Sequence, residues 1–200
     1  MGQLLAFVAV GAVVIVTPGP DTALTIRNAL LGGRRSAAGT ALGVAVGQAT
    51  WTLAASAGVS ALLAASRPAF LALRIIGAGY LVWLGLTSLR AALRGSEART
   101  RGGTASPRRA FRQGLVSNLG NPKMAVFFTS LLPQFGSSFF SLLPLGLLFA
   151  TMTLVWLMVY GVAVATAGAV LLRPRVRRAI DAVAGVVLVA LGVRVATERR

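Results

Sequence analysis

Thr17-Pro18-Gly19-Pro20-Asp21 interrupts an apolar run over residues 4–31, and Asn118-Leu119-Gly120-Asn121-Pro122-Lys123 interrupts another over residues 114–132. Proline removes a backbone donor and crowds the preceding turn, at about 3 kcal/mol in a helix interior. Within a bilayer, carbonyls freed in this way are tolerated only where protein or a watery cavity satisfies them. A kinked helix repaired by its neighbours would meet that condition. Asp21 argues for more, because a carboxylate within a span costs roughly 2.5–3.5 kcal/mol on insertion scales and usually marks an ion or proton pathway. At the second break stands the chain's single lysine, against nineteen arginines. Lysine, unlike arginine, can give up its proton when desolvated; a lysine snorkelling from a helix end is the plainer reading.

The rest of the chain supports a membrane setting. Of 200 residues, 56% are hydrophobic and 12% charged, with a mean hydropathy of +0.79. Soluble domains carry about twice that charge. A helix needs about 20 apolar residues to cross a bilayer, and six candidate spans follow: residues 4–31, 37–65, 69–89, 114–132 (stopped by Pro133), 144–172 and 179–196. A basic stretch over residues 90–112 separates the third from the fourth. The expected fold is therefore an all-α membrane protein with one transporter domain over residues 1–200. A first repeat covers about 1–93, a basic cytoplasmic loop about 94–112 and a second repeat about 113–200.

Net charge of +16 would suggest nucleic acid in a soluble protein. Here fourteen of the twenty basic residues fall after the first, third and fifth spans: Arg27, Arg34 and Arg35, seven over residues 90–112, and four over residues 173–178. The positive-inside rule makes these loops cytoplasmic, puts both termini outside and removes nucleic acid as a partner. Met1-Gly2-Gln3 has no basic region before the first apolar run, so a cleavable signal peptide is not expected. Each half holds three spans, the first of each broken by proline. Pro18 and Pro122 lie 104 residues apart, and Gly85 and Gly192 lie 107 apart. Three is odd, so the second half inserts upside down, the inverted-repeat plan of many secondary transporters. Two broken helices meeting near the midplane would offer amides to an anionic group and carbonyls to a cationic one. The expectation is that Asp21 and Lys123 pair when the site is empty and that a zwitterion displaces each from the other.

Thr17-Pro18-Gly19-Pro20-Asp21 with Asn121-Pro122-Lys123 resembles the paired signatures of the LysE/RhtB amino-acid exporter family, the threonine/homoserine/lysine exporter type. Length, basic central loop and glycine-rich second span match as well, so the likeness covers the whole chain. The resemblance implies a multi-pass protein of the bacterial cytoplasmic (inner) membrane that exports amino acids or close derivatives. It implies an ion gradient as the drive, with protons as the coupling ion, and allows a homo-oligomer. Members often carry asparagine where this chain has Asp21. Export of another small metabolite or an inorganic ion on the same architecture is the alternative.

The pathway residues expected on these grounds are Thr17, Pro18, Gly19, Pro20, Asp21, Gln48, Asn118, Asn121, Pro122 and Lys123. Gln48 either lines the cavity or bonds a neighbouring helix. Gly39, Gly43 and Gly47 share a helix face and favour close packing of the small-xxx-small kind. Trp51, Trp83 and Trp156 suit packing or interfacial anchoring better than substrate contact. The basic loop is first a determinant of topology, with anionic lipid as a further contact.

Other classes lack the residues they need. With no cysteine and no histidine, disulfides, thiol redox chemistry, Cys/His zinc sites and Ser-His or Cys-His pairs are gone. Four acids, Asp21, Glu97, Asp181 and Glu198, leave little for paired-carboxylate hydrolysis or metal clusters. A phosphate loop of the G-x-x-x-x-G-K-[ST] type is missing, which argues against direct ATP use. No enzyme activity, metal or cofactor is expected.

Overall fold

The computed structural model describes residues 2–65 and 106–171, together with scattered helical positions between 75 and 93 and between 179 and 193. Among the described residues there is helix and no strand. Helix α1 spans Gly2–Val16 and α2 spans Pro20–Ala65. Two short helices follow, α3 over Pro107–Leu119 and α4 over Pro122–Val126. A π-turn over Phe127–Leu131 and a 3-10 turn over Leu132–Gln134 lead to α5, Phe139–Leu171. The third and sixth expected spans, the Gly85–Gly192 correspondence and Asp181 lie outside the described residues, apart from the scattered positions.

Local chemistry explains the boundaries. The two prolines end α1 and restart the chain as α2, with Pro20 in the first helical position, where its missing N–H is no loss. The two helices are bent by 55°. Where a loop was expected after the first span, α2 instead bends at Gly33, whose φ of 66° and ψ of −163° only glycine adopts readily. The fourth span starts at residue 107 rather than 114. Ser106 caps it by accepting from the Arg109 amide at 3.4 Å and Pro107 opens it, so Arg108, Arg109 and Arg112 ride exposed on its first turns. Pro133 falls in the 3-10 turn where the span was expected to stop. The fifth span also starts early, at residue 139 rather than 144. Ser138 and Ser141 exchange side-chain bonds to each other's amides at 3.0 and 3.3 Å, a reciprocal cap that precedes Pro144.

Residues Phe139–Thr166 of α5 are long and apolar enough to cross a bilayer, and Gly2–Val16 with Pro20–Gly58 passes the same test as one bent pair. The two broken helices run antiparallel. Asn28, Asp21, Thr17 and Phe7 of the first meet Gln113, Asn118, Lys123 and Phe127 of the second in that order. One end of this pair is aromatic: Phe7, Phe127, Phe128 and Phe149 are fully buried, and Phe127 stacks on Phe149 with ring centroids 3.9 Å apart. The other end carries the exposed Arg34, Arg35, Arg108, Arg109 and Arg112. The two proline breaks cross between these ends.

Gly39, Gly43 and Gly47 seat the second part of α2 directly on α3. A Cβ at Gly39 would run into the Pro107 carbonyl and one at Gly43 into the Phe111 carbonyl, while at Gly47 it would lie 2.8 Å from Asn118 Oδ1. Gly114 returns the contact, its face closed by the Thr40 carbonyl. Such close approach brings α3 side chains within reach of both parts of α2.

Candidate functional site

Pro18 lacks the N–H that would bond the Val14 carbonyl four residues back, and beyond the last turn of α1 the Thr17 carbonyl has left the helix. The Lys123 ammonium donates to both, at 3.1 Å to Val14 and 3.0 Å to Thr17. A cation thus caps the negative end of the α1 dipole. Gly19 makes room for it, since a Cβ there would stand 3.1 Å from Nζ. The Thr17 hydroxyl turns back to the Val13 carbonyl at 2.7 Å.

Asp21 sits in the first turn of α2, where the dipole favours an anion. Its carboxylate crosses to the other break. Oδ1 accepts from the Ser117 hydroxyl at 2.8 Å, and Oδ2 accepts from Asn118 Nδ2 at 2.8 Å and Asn121 Nδ2 at 3.0 Å. Asn121 is held in turn as the cap of α4, its Oδ1 accepting from the Lys123 amide at 3.0 Å. Asp21 is 8% exposed and Lys123 5%. Asp21 is the one acidic group among the described residues.

The expected Asp21–Lys123 pair is therefore replaced by an exchange. Each charge is satisfied by neutral groups of the opposite break, because freed carbonyls and capping amides lie closer to hand than the partner charge. Thr17, Gly19, Asp21, Asn118, Asn121 and Lys123 come together here. Pro18, Pro20 and Pro122 contribute by shaping the backbone, and the last two are exposed. Gln48 is 1% exposed and donates to Met124 Sδ at 3.4 Å, one residue from Lys123. Trp51 Nε1 donates to the Asn118 carbonyl at 3.4 Å.

Two buried acceptors at this crossing, Gln48 Oε1 and Asn118 Oδ1, have no hydrogen-bond partner. A carboxylate has about four acceptor sites and an ammonium three donors, and the bonds above fill three at Asp21 and two at Lys123. The crossing so keeps free acceptors beside Asp21 and a free donor at Lys123. Among the described residues no group of three acidic, histidine or cysteine side chains is placed to hold a metal.

The sequence reading passed over Ser117 and the Val14 carbonyl. Counting four residues back from Pro18 identifies the second. Ser117 stood beside Asn118 in an otherwise apolar stretch, a polar signal of the same kind.

A bent apolar helix crossing a second broken helix through two buried opposite charges fits a helical membrane protein of the transporter class. The profile of the LysE type translocator family matches residues 12–199, and the chain belongs to that family. Membership makes it a transporter rather than an enzyme, in a family that moves amino-acid-type substrates outward. The chain is similar to the uncharacterized membrane protein YrhP of Bacillus subtilis, 28% identical over 97% of this chain and 98% of that protein. An uncharacterized membrane protein of Pseudomonas aeruginosa is 33% identical over 92% of this chain and 90% of its own length. Another from Vibrio cholerae is 37% identical over 66% and 63%. No solved structure matches.

Proposed function

We propose that the chain is a secondary exporter that carries amino acids or close derivatives out of the bacterial cytoplasm by proton-coupled alternating access. The unfilled hydrogen-bonding capacity at the proline crossing carries this reading. A zwitterion matches it: an ammonium group goes to Asp21 with the Asn118 and Gln48 oxygens, and a carboxylate to the remaining Lys123 donor. The antiparallel run of the two broken helices supports halves of about 1–93 and 113–200 related by inversion, with the crossing near the midplane. Arginines gathered at one end support placing that end in the cytoplasm and both termini outside. Substrate arrival frees Asp21 from Asn118 and Asn121, and proton exchange at Asp21 couples its reset to the gradient.

The deciding experiment is efflux of a panel of labelled amino acids from preloaded vesicles, with and without an uncoupler. Uncoupler-sensitive efflux of one or a few of them is expected. No efflux by protein shown to be inserted would move the reading to another small metabolite or an ion.

A further inference from the structure

Asn28 lies on the same face of α2 as Asp21 and Thr25, seven residues beyond Asp21 and so about 10 Å along the helix toward the arginine-rich end. All three are buried, Thr25 and Asn28 completely. Asn28 Nδ2 donates to Thr40 Oγ1 at 2.9 Å and to Gln113 Oε1 at 3.2 Å, joining both parts of α2 to α3. Asn28 Oδ1 has no partner. Turning the amide over would only trade an unpaired oxygen for an unpaired Nδ2. It would set the oxygen against Gln113 Oε1 and against the Thr40 hydroxyl, whose proton is given to the Ser36 carbonyl at 3.0 Å. A buried acceptor without a donor is rare in a native fold and calls for an explanation.

We propose that Asn28, with Thr40 and Gln113, forms a second ligand station on the arginine-rich side of the proline crossing, where the free Asn28 oxygen accepts a hydrogen bond from an ammonium group. The inference rests on the transporter reading of the crossing. The aromatic end of the helix pair is closed by stacked rings, so a solute would reach the crossing from the other end, along the face of Asn28, Thr25 and Asp21 that is buried in this state. The arginines beyond it repel free cations, and an acceptor just inside that barrier gives the ammonium end of a zwitterion its first partner.

The chain contains no cysteine, so a single Thr40→Cys substitution puts one thiol beside Asn28. Membranes holding that variant are treated with 2-aminoethyl methanethiosulfonate or its sulfonate-bearing counterpart, each rate divided by that for a free thiol in solution. Because the arginines slow the cationic reagent in every variant, the ammonium-to-sulfonate ratio is compared between variants. Adding Asn28→Leu should lower it about tenfold, the ratio one hydrogen bond to a charged group produces. Adding Asn28→Asp, nearly the same shape and still an acceptor, should keep or raise it. A ratio that Asn28→Leu leaves unchanged, or no labelling of inserted protein, overturns the station. Should Asn28→Leu fail to accumulate, the aspartate variant decides, and a ratio that falls there overturns it as well. Labelling needs no transported substrate, so the exporter reading and this station stand or fall on different results.

Discussion

Asp21 and Lys123 each follow the proline that opens a helix, and each is bound by the break that the other's helix begins from. Asp21 takes the Asn118 and Asn121 amides at 2.8 and 3.0 Å, and Lys123 takes the Val14 and Thr17 carbonyls at 3.1 and 3.0 Å. Neither break is complete alone. The first lacks a donor for its carbonyls, and the second lacks an acceptor for its amides. In a medium without water both shortages must be met from within the protein, and the exchange meets them while keeping two opposite charges buried near each other.

Replacing Lys123 tests the first half of that exchange. Lys123→Ala leaves the Val14 and Thr17 carbonyls without a donor, at about 1–3 kcal/mol each, and should reduce efflux to background. Lys123→Arg should fail nearly as badly, because a larger planar guanidinium must fit the space that the missing Gly19 side chain leaves for an ammonium. Efflux and membrane abundance measured together check this. Wild-type rates with arginine would mean that charge alone is required.

Asp21→Asn should fold and insert at close to wild-type levels. The asparagine oxygen still accepts from Asn118 and Asn121, and its amide faces Ser117, whose hydroxyl can rotate to accept. The substitution removes the carboxylate at the crossing, so under the proposed coupling residual efflux should become insensitive to uncoupler. Loss of the protein from the membrane would instead assign Asp21 a structural role.

The breaks were legible because proline chemistry is local: Pro18, Pro20 and Pro122 interrupt a helix wherever they fall. Asn118, Asn121 and Gln48 were legible as polar groups in apolar runs. The partner of Asp21 was not, since the groups that bind it lie 96 to 100 residues away and opposite charge pointed to Lys123 instead. Charge also misplaced the start of α3. Arg108, Arg109 and Arg112 read as loop, yet they extend outward from a helix whose Ser106 cap decides where it begins. The turn after the first span was expected to take several residues, and a single positive φ at Gly33 makes it.

The seat between α2 and α3 gives a graded series. Gly43→Ala places a methyl on the Phe111 carbonyl, which rigid helical backbone cannot yield, and overpacking of this kind costs typically about 1–3 kcal/mol. Gly47→Ala meets Asn118 instead, a side chain that can shift but that holds Asp21, so efflux should fall further than stability. Gly58→Ala meets nothing within 4 Å and should be neutral or stabilising, by about 0.5–1 kcal/mol from helix propensity. Thermal unfolding in detergent orders the three.

Gly33 separates backbone strain from crowding. A Cβ there meets nothing within 4 Å, so any cost of Gly33→Ala comes from φ 66° and ψ −163°, a combination other residues adopt at about 1–3 kcal/mol. An alanine relieves that strain most readily by straightening the helix. Straightening carries Thr40 away from Asn28 and breaks their 2.9 Å bond, along with the approach of Gly39 to Pro107. Gly33→Ala should therefore lower both the melting temperature and the efflux rate, while Gly58→Ala, the same change on the same helix without strain, lowers neither. Equal behaviour of the two variants would show that the bend is held by packing on α3 and not by the glycine.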